Sequence, residues 1–201
     1  MRIGILDYGA GNLASVERAL CCLGAEAERI TEPERIASAD ALVLPGVGHF
    51  SAFVDGICVT GLAPALQAAI HRGVPVLGIC LGLQAMFSGS AEAPGKKGLG
   101  LFPETVCALP ESVKSPHIGW NQLRRTRESA LLRSVPEDAH FYFAHSYAAP
   151  AGGAAVVAVC EHGFPFSAVI EKGNLMAVQF HPEKSGVAGA RVLANFLKAV
   201  R

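Results

Sequence analysis

Three unbroken apolar segments, each closed by a turn, constrain the fold of this chain more than any other feature. They cover residues 3–7, 41–44 and 74–79. A central parallel strand is covered on both faces and therefore reads as a continuous apolar run. Between the segments, two stretches have apolar residues at helical spacing and end in a glycine, at Gly24 and Gly73. Strands and helices in alternation predict a parallel sheet with right-handed crossovers.

The second half of the chain changes character. Its strand-like segments are residues 105–109, 141–144, 155–160, 167–171 and 175–180. Short turns separate most of them, which favours antiparallel hairpins, and the chain ends in a helix with one apolar face. We therefore predict an α/β fold with an open, mainly parallel sheet, flanked by helices and carrying an antiparallel extension. We expect one domain over residues 1–201, because domains of about 100–200 residues are usual.

Charge and cysteine spacing narrow the class of protein. The 17 basic residues balance the 17 acidic ones, so net charge gives no attraction to nucleic acid or anionic lipid. The basic cluster of Arg124, Arg125 and Arg127 has no interleaved aromatics, and we interpret it as a solvated loop. The six cysteines lack CxxC or zinc-finger spacing, which predicts reduced thiols in the cytoplasm without metal or cofactor. No signal peptide or long apolar run indicates a membrane segment.

The segment Gly78-Ile79-Cys80-Leu81-Gly82 follows the third apolar strand and precedes a helical stretch. A tight turn between strand and helix needs glycine on both sides and exposes the residue at its apex. The start of a helix supplies free N–H groups and partial positive charge, which favour the reactive thiolate. We predict that Cys80 is a nucleophile. A buried core cysteine at a strand end is the alternative.

The segment His181-Pro182-Glu183 follows another apolar strand. Residues two apart in extended chain point the same way, so Glu183 can orient the imidazole of His181. A thiol, a histidine base and an orienting carboxylate make a complete catalytic triad. A lone His-Pro-Glu is more often a surface turn, but its presence beside the cysteine turn favours the triad Cys80, His181 and Glu183.

The segment Pro45-Gly46-Val47-Gly48 ends the second apolar strand, next to the cysteine turn in the predicted sheet. Glycines there leave backbone N–H groups free to face a developing oxyanion. We predict an oxyanion hole formed at Val47, Gly48 and Leu81, with a peptide between Gly46 and Gly48 able to rotate. An ordinary glycine turn is the alternative.

These motifs together resemble the class I, triad-type glutamine amidotransferases. The resemblance runs nearly end to end, and it is strongest to the glutaminase subunits of imidazole glycerol phosphate synthases, of histidine biosynthesis. The supporting segments are Asp7 to Leu13, Leu44 to Gly48, His117 to Asn121, Tyr142 to Tyr147 and Gln179 to Ser185. Ala144 stands where this family usually has valine, which affects no catalytic residue.

The resemblance implies a substrate, a partner and further site residues. The glutamine pocket would use Gly46, Gly48, Gln84, Ser146 and Tyr147, with Glu92 a weaker candidate. Four residues would face a cyclase subunit with a (β/α)8 barrel: Asn12, Trp120, Tyr142 and Lys184. In such a heterodimer the glutaminase passes ammonia through a shielded path to the cyclase, which makes imidazole glycerol phosphate and aminoimidazole carboxamide ribotide.

Three other functions stay open from the sequence. The chain could serve another synthase, such as one for anthranilate, carbamoyl phosphate or pyridoxal phosphate. It could be a free-standing cysteine hydrolase of γ-glutamyl compounds, which predicts full activity without a partner. It could also be a non-catalytic subunit, but such a protein is expected to have lost part of the triad.

Overall fold

The computed structural model describes residues 1–9 and 11–200. Ala10, inside the Asp7 to Leu13 motif, and Arg201 lie outside the described residues. The strands are β1 Arg2–Leu6, β2 Glu26–Ile30, β3 Ala41–Leu44, β4 Val76–Ile79, β5 Phe87–Ser90, β6 Phe102–Ala108, β7 His117–Gln122, β8 Arg124–Arg125, β9 His140–His145, β10 Tyr147–Ala148, β11 Val156–Glu161, β12 Pro165–Lys172 and β13 Leu175–Val178. The helices are α1 Leu13–Cys22, α2 Phe50–Val59, α3 Leu62–His71, α4 Leu81–Ala85 and α5 Gly186–Ala199, with 3-10 turns at Pro33–Ser38 and Pro182–Lys184.

An eight-stranded sheet forms the centre of the molecule, in the order β2-β1-β3-β4-β13-β12-β11-β8. The first five strands are parallel, and the last three run antiparallel to their neighbours. The predicted fold class, a mainly parallel sheet with an antiparallel extension, is therefore confirmed. Two smaller sheets lie outside it: β10-β6-β5 and the two-stranded ribbon β7-β9.

The apolar character of the parallel strands follows from cover on both sides. Alternate residues of β1 point to opposite faces. Ile3 and Ile5 belong to one buried cluster, which includes residues of α1 and α5, whereas Leu6 belongs to a second cluster with residues of α2 and α3. All three side chains have no exposed surface. Burying such a side chain contributes about 1.5–3 kcal/mol, so neither face tolerates a polar residue.

The structure adds to or corrects several local expectations. The strand β13 follows the antiparallel β12 by a short turn, yet it pairs in parallel with β4 and so lies inside the sheet. The helix α2 was not predicted, because its apolar residues are too frequent to mark one face. For the helical stretch that ends before Gly73, the sequence predicts residues 64–72, and the helix begins earlier, at Leu62. The basic cluster is exposed as expected, but Arg124 and Arg125 form the edge strand β8 and are not a loop.

The carboxyl ends of β3, β4 and β13 meet at one edge of the sheet. Leu44 of β3 pairs with Gly78, and Ile79 at the end of β4 pairs with Val178. The cysteine turn, the Pro45–Gly48 segment and the His181 segment all follow these strand ends. In the described part of the chain, no single helix is long and apolar enough to cross a membrane, although α2 and α3 together, bent by 89°, have that length and composition.

Candidate active site

Cys80 occupies the turn between β4 and α4 in a conformation that few residues adopt. Its φ of 55° and ψ of −107° lie outside the common regions, and such strain is found mainly at functional sites. Cys80 N donates to Val178 O at 2.8 Å, while Cys80 O accepts from Leu83 N and Gln84 N. A Cβ at Gly82 would overlap the carbonyl oxygen of Leu44. Glycine at that position is therefore required for the close approach of the turn to β3.

His181 lies beside this turn and contacts a carboxylate. Its Nδ1 is 2.8 Å from Glu183 Oε1, and the side chain of Glu183 is fully buried. The sequence predicts an extended chain from His181 to Glu183, and this detail is wrong. Pro182 begins a 3-10 turn instead, and the turn folds the carboxylate back against the imidazole. His181 N donates to Tyr142 O at 2.9 Å, which holds the segment to β9.

The two oxygens of the Glu183 carboxylate differ in their hydrogen-bond partners. Its Oε1 accepts from His181 Nδ1 and from Asn12 Nδ2, the latter at 2.5 Å. Its Oε2 is buried and has no hydrogen-bond partner among residues 1–9 and 11–200. Asn12 was predicted only as a partner-facing residue. In the structure it contacts the carboxylate directly, with a left-handed backbone (φ 72°) that only asparagine, aspartate and glycine adopt readily.

The surroundings of His181 stabilise its protonated form. Burial would lower the pKa of this imidazole, but hydrogen bonds and charge interactions with Cys80 and Glu183 outweigh burial and raise the pKa to about 10. Desolvation and nearby opposite charge are the two opposing effects here. The arrangement therefore favours the imidazolium form of His181, the form that can act as counter-ion to a thiolate and as proton donor to a leaving group.

A cavity of about 190 Å³ opens onto Cys80 and His181. Twelve residues from several elements line it: Val47, Gly48, Cys80, Leu81, Gln84, Glu92, Ala144, His145, Ser146, Tyr147, His181 and Lys184. The structure thus brings together the expected nucleophile, base, oxyanion segment and glutamine pocket, apart from Gly46, which lies just behind the wall. Gln84 Nε2 donates to both Tyr147 O and Gln179 Oε1. A glutamine side chain can both donate and accept, but the amide nitrogen of Gln84 is used within the protein, so only its Oε1 is left for a ligand.

The Pro45–Gly48 segment, expected to form the oxyanion hole, is anchored at Pro45. At Gly48 it has a left-handed backbone conformation. Tyr8 is buried, and its hydroxyl donates to Pro45 O at 2.7 Å. Gly48 has a φ of 97° and is exposed. Leu81 N, the expected fixed donor, makes a long hydrogen bond of 3.4 Å to Gly46 O. In this conformation the Gly46 carbonyl therefore competes with any oxyanion for the Leu81 N–H.

The remaining residues expected to face a partner form one surface cluster beside the triad. Trp120 is 56% exposed and meets Tyr142 edge-to-face at 6.0 Å between ring centroids. Lys184 Nζ lies 5.8 Å from the centre of the Tyr142 ring, within the range of a cation–π contact. The ring of Tyr142 is in turn 6.4 Å from that of His181. This surface therefore lies one side chain away from the imidazole of His181.

Two residues near the sulfur were missed in the sequence. Gln179 Nε2 lies 3.6 Å from Cys80 Sγ, and its signal was a polar residue ending an apolar strand. His145 lines the cavity, and burial next to His117 lowers its pKa to about 3. No sequence signal marked His145, since its neighbours come from distant segments.

A family comparison agrees with this geometry. The family model for glutamine amidotransferase class-I matches residues 4–200, so the chain belongs to that family. Its fold is similar to a solved glutamine amidotransferase, with a TM-score of 0.79 at 20% identity over 98% of each chain. It is also similar to PurLQS from Thermotoga maritima, with a TM-score of 0.77 at 19% identity over 100% and 99% of the two chains.

Curated relatives narrow the comparison further. The chain is 46% identical to the imidazole glycerol phosphate synthase subunit HisH of Moorella thermoacetica, over 99% of this chain and 95% of that protein. It is 47% identical to the HisH subunit of Methanothermobacter thermautotrophicus, over 99% of both chains. The sequence resemblance to this family is confirmed.

Proposed function

We propose that this chain is the glutaminase subunit of an imidazole glycerol phosphate synthase, with Cys80, His181 and Glu183 as its catalytic triad. The contact of His181 Nδ1 with Glu183 Oε1 at 2.8 Å, in the cavity wall next to Cys80, carries the proposal. The full-length similarity to HisH subunits supports the choice of synthase. We extend the proposal to a single amidotransferase domain over the whole chain.

The geometry supports a two-step hydrolysis. The Cys80 thiolate attacks the γ-carbonyl carbon of glutamine, and the carbonyl oxygen becomes an oxyanion. His181 gives its proton to the leaving amide nitrogen, so ammonia departs and a γ-glutamyl thioester remains. His181 then takes a proton from water, which attacks the thioester and releases glutamate and the Cys80 thiolate. Glu183 keeps the imidazole oriented and balances its charge.

The cavity presents acceptors that suit the α-ammonium group of an amino acid. Glu92 Oε2 accepts Phe50 N at 2.8 Å at the start of α2, and this carboxylate also reaches the cavity, where it matches an α-ammonium group. Gln84 Oε1 is a second acceptor in the lining of the cavity. Gly48, Ser146 and Tyr147 complete the pocket, and the N–H groups near Val47 and Leu81 would face the oxyanion after the Gly46 carbonyl moves away.

The ammonia acceptor belongs on a partner in this proposal. The exposed cluster of Trp120, Tyr142 and Lys184, with Asn12 behind it, forms the docking face for a (β/α)8 cyclase subunit. Because this face reaches His181 and Glu183, docking can influence the triad, and ammonia released there is shielded from solvent. The heterodimer would then complete a lyase reaction of histidine biosynthesis in the cytoplasm.

The test uses the purified chain with and without a cyclase subunit and an analogue of the cyclase substrate. Cys80→Ala is expected to abolish glutamine hydrolysis, while synthesis from added ammonia by the heterodimer continues. Cys21→Ala is the matched control, because Cys21 is exposed on α1 and does not line the cavity. Glutaminase activity in Cys80→Ala would refute the triad, and full activity without any partner would favour a free-standing hydrolase. Synthesis with a different acceptor enzyme would assign the chain to another synthase.

A further inference from the structure

Gln179 is a fully buried amide at the end of the apolar strand β13. Burying an amide is costly unless its donors and acceptor are paired. Its Nε2 lies 3.6 Å from Cys80 Sγ, and its Oε1 accepts from Gln84 Nε2 at 3.1 Å. The side chain therefore joins the wall of the glutamine cavity to the sulfur, and the two-step hydrolysis above assigns it no role.

The direction of these hydrogen bonds follows from the one group that cannot change its role. The carbonyl oxygen of Tyr147 can only accept, so the Gln84 atom 2.7 Å from it must be the amide nitrogen. The same nitrogen has a second hydrogen, which points to Gln179. Gln179 must therefore accept this hydrogen bond with its Oε1, and its own amide nitrogen then faces Cys80 Sγ. The assignment of both amides thus depends on geometry and not on a choice of flip.

We propose that Gln179 is a catalytic residue that donates an amide N–H to the sulfur of Cys80, oriented through Gln84 by the carbonyl of Tyr147. This inference rests on the proposed function in one respect, namely that Cys80 is the nucleophile. A hydrogen bond to the charged form of a group stabilises that form, so Gln179 stabilises the thiolate from the side away from solvent, and His181 stabilises it as a counter-ion.

Gln84 gives this hydrogen-bond chain a connection to the substrate. Its Oε1 is the atom left for a ligand, and a donor bound there polarises the amide and strengthens its N–H groups. Hydrogen bonds in series strengthen one another. Binding of glutamine at Gln84 is therefore transmitted through Gln179 to the sulfur, and the thiolate is stabilised most when substrate is present.

Two buried histidines, His145 and His117, extend this series of hydrogen bonds beyond the Tyr147 carbonyl. Tyr147 O has a second lone pair, which faces His145 Nδ1 at 3.0 Å, and His145 Nε2 faces His117 Nδ1 at 3.0 Å. Asn121 Nδ2 lies 3.4 Å from His117 Nε2. With Asn121 as donor, each ring carries its proton on Nδ1, and every group in the series has one role. The Tyr147 carbonyl, the acceptor from which the amide directions follow, is thereby held in position by His145.

The experiment measures alkylation of Cys80 by iodoacetamide in the full-length chain, near pH 7 and without glutamine, with the modified cysteine identified by mass spectrometry. Gln179→Met keeps the side-chain length and removes both polar atoms. We expect its alkylation rate to fall about tenfold, the effect of losing one hydrogen bond to a charged group. Gln179→Glu keeps the acceptor for Gln84 and loses the donor, so it should react at least as slowly. Alkylation of either variant at the wild-type rate overturns the proposal.

A double mutant and a control separate this role from a structural one. Gln84→Met should slow alkylation about threefold in the wild-type background and not at all in the Gln179→Met background, because it acts through Gln179. If the effects of the two substitutions on the alkylation rate were additive, the proposed coupling of Gln84 to the sulfur through Gln179 would be wrong. Asn195→Leu is the control, since Asn195 is a buried amide that bonds Leu131 O and Arg133 O away from the sulfur. It should lower the melting temperature without changing the alkylation rate. Glutamine hydrolysis is assayed separately, in the heterodimer with the acceptor analogue, so its absence there in the wild type would contradict the proposed function alone.

Discussion

Replacing Glu183 with glutamine tests the electrostatics of the triad, because it preserves shape and removes charge. The pKa of His181 is raised from 6.5 to about 10, which corresponds to a net stabilisation of the imidazolium on the order of 5 kcal/mol. Cys80 and Glu183 are the two sources. If Glu183 supplies a little under half, the variant loses about 2 kcal/mol. Glutamine turnover should then fall roughly 30-fold, and more if the new amide nitrogen is left without an acceptor.

The assay is glutamate release at saturating glutamine, measured over a range of pH in the stimulated heterodimer. Loss of the carboxylate lowers the pKa of His181, so the imidazolium loses its proton at lower pH. The alkaline limb of the rate profile should therefore shift downward in Glu183→Gln. Glu137→Gln is the control, because Glu137 is exposed and outside the cavity. A loss of less than about threefold, with an unchanged alkaline limb, would refute the reasoning.

Three further predictions concern activation, docking and stability. The isolated chain should hydrolyse glutamine slowly, and a cyclase with an acceptor analogue should raise kcat at least about 10²-fold with little change in KM. The reason is that an oxyanion donor acts in the transition state. Steady-state kinetics showing the full rate without a partner would contradict this prediction. Trp120→Ala should weaken cyclase binding by about 2 kcal/mol, roughly 30-fold, in calorimetry, whereas Val59→Ala, at a more exposed apolar residue on α2, should not. Burial lowers the pKa of His145 to about 3, so the unfolded chain binds this proton first, and the free energy of unfolding should fall as pH drops from about 6.5 toward 3. Urea unfolding should record that decline, and His145→Gln should flatten it.

Much of the fold was predictable because the amino-acid composition of the parallel strands indicates that they are buried on both faces. The segment that contains β4 is apolar at nearly every position, and only a strand covered on both faces has that pattern. The position of β13 was not predictable in the same way. Its turn from β12 indicates a hairpin, and that local signal is correct, but its second neighbour β4 lies about a hundred residues earlier in the chain. Pairing across such a distance depends on the assembled sheet.

For the candidate site, too, local features were predictable from the sequence and long-range contacts were not. The sequence by itself determined which residues can do chemistry: a cysteine between glycines at a strand end, a His-Pro-Glu segment and a glycine-rich strand end, each with a local physical reason. Only the tertiary structure decided their surroundings. Asn12 contacts Glu183 across 171 residues, and Gln179 contacts Cys80 across 99. Hydrogen bonds act over about 3 Å of space and are indifferent to sequence separation, so these partners became visible only when the strand ends met.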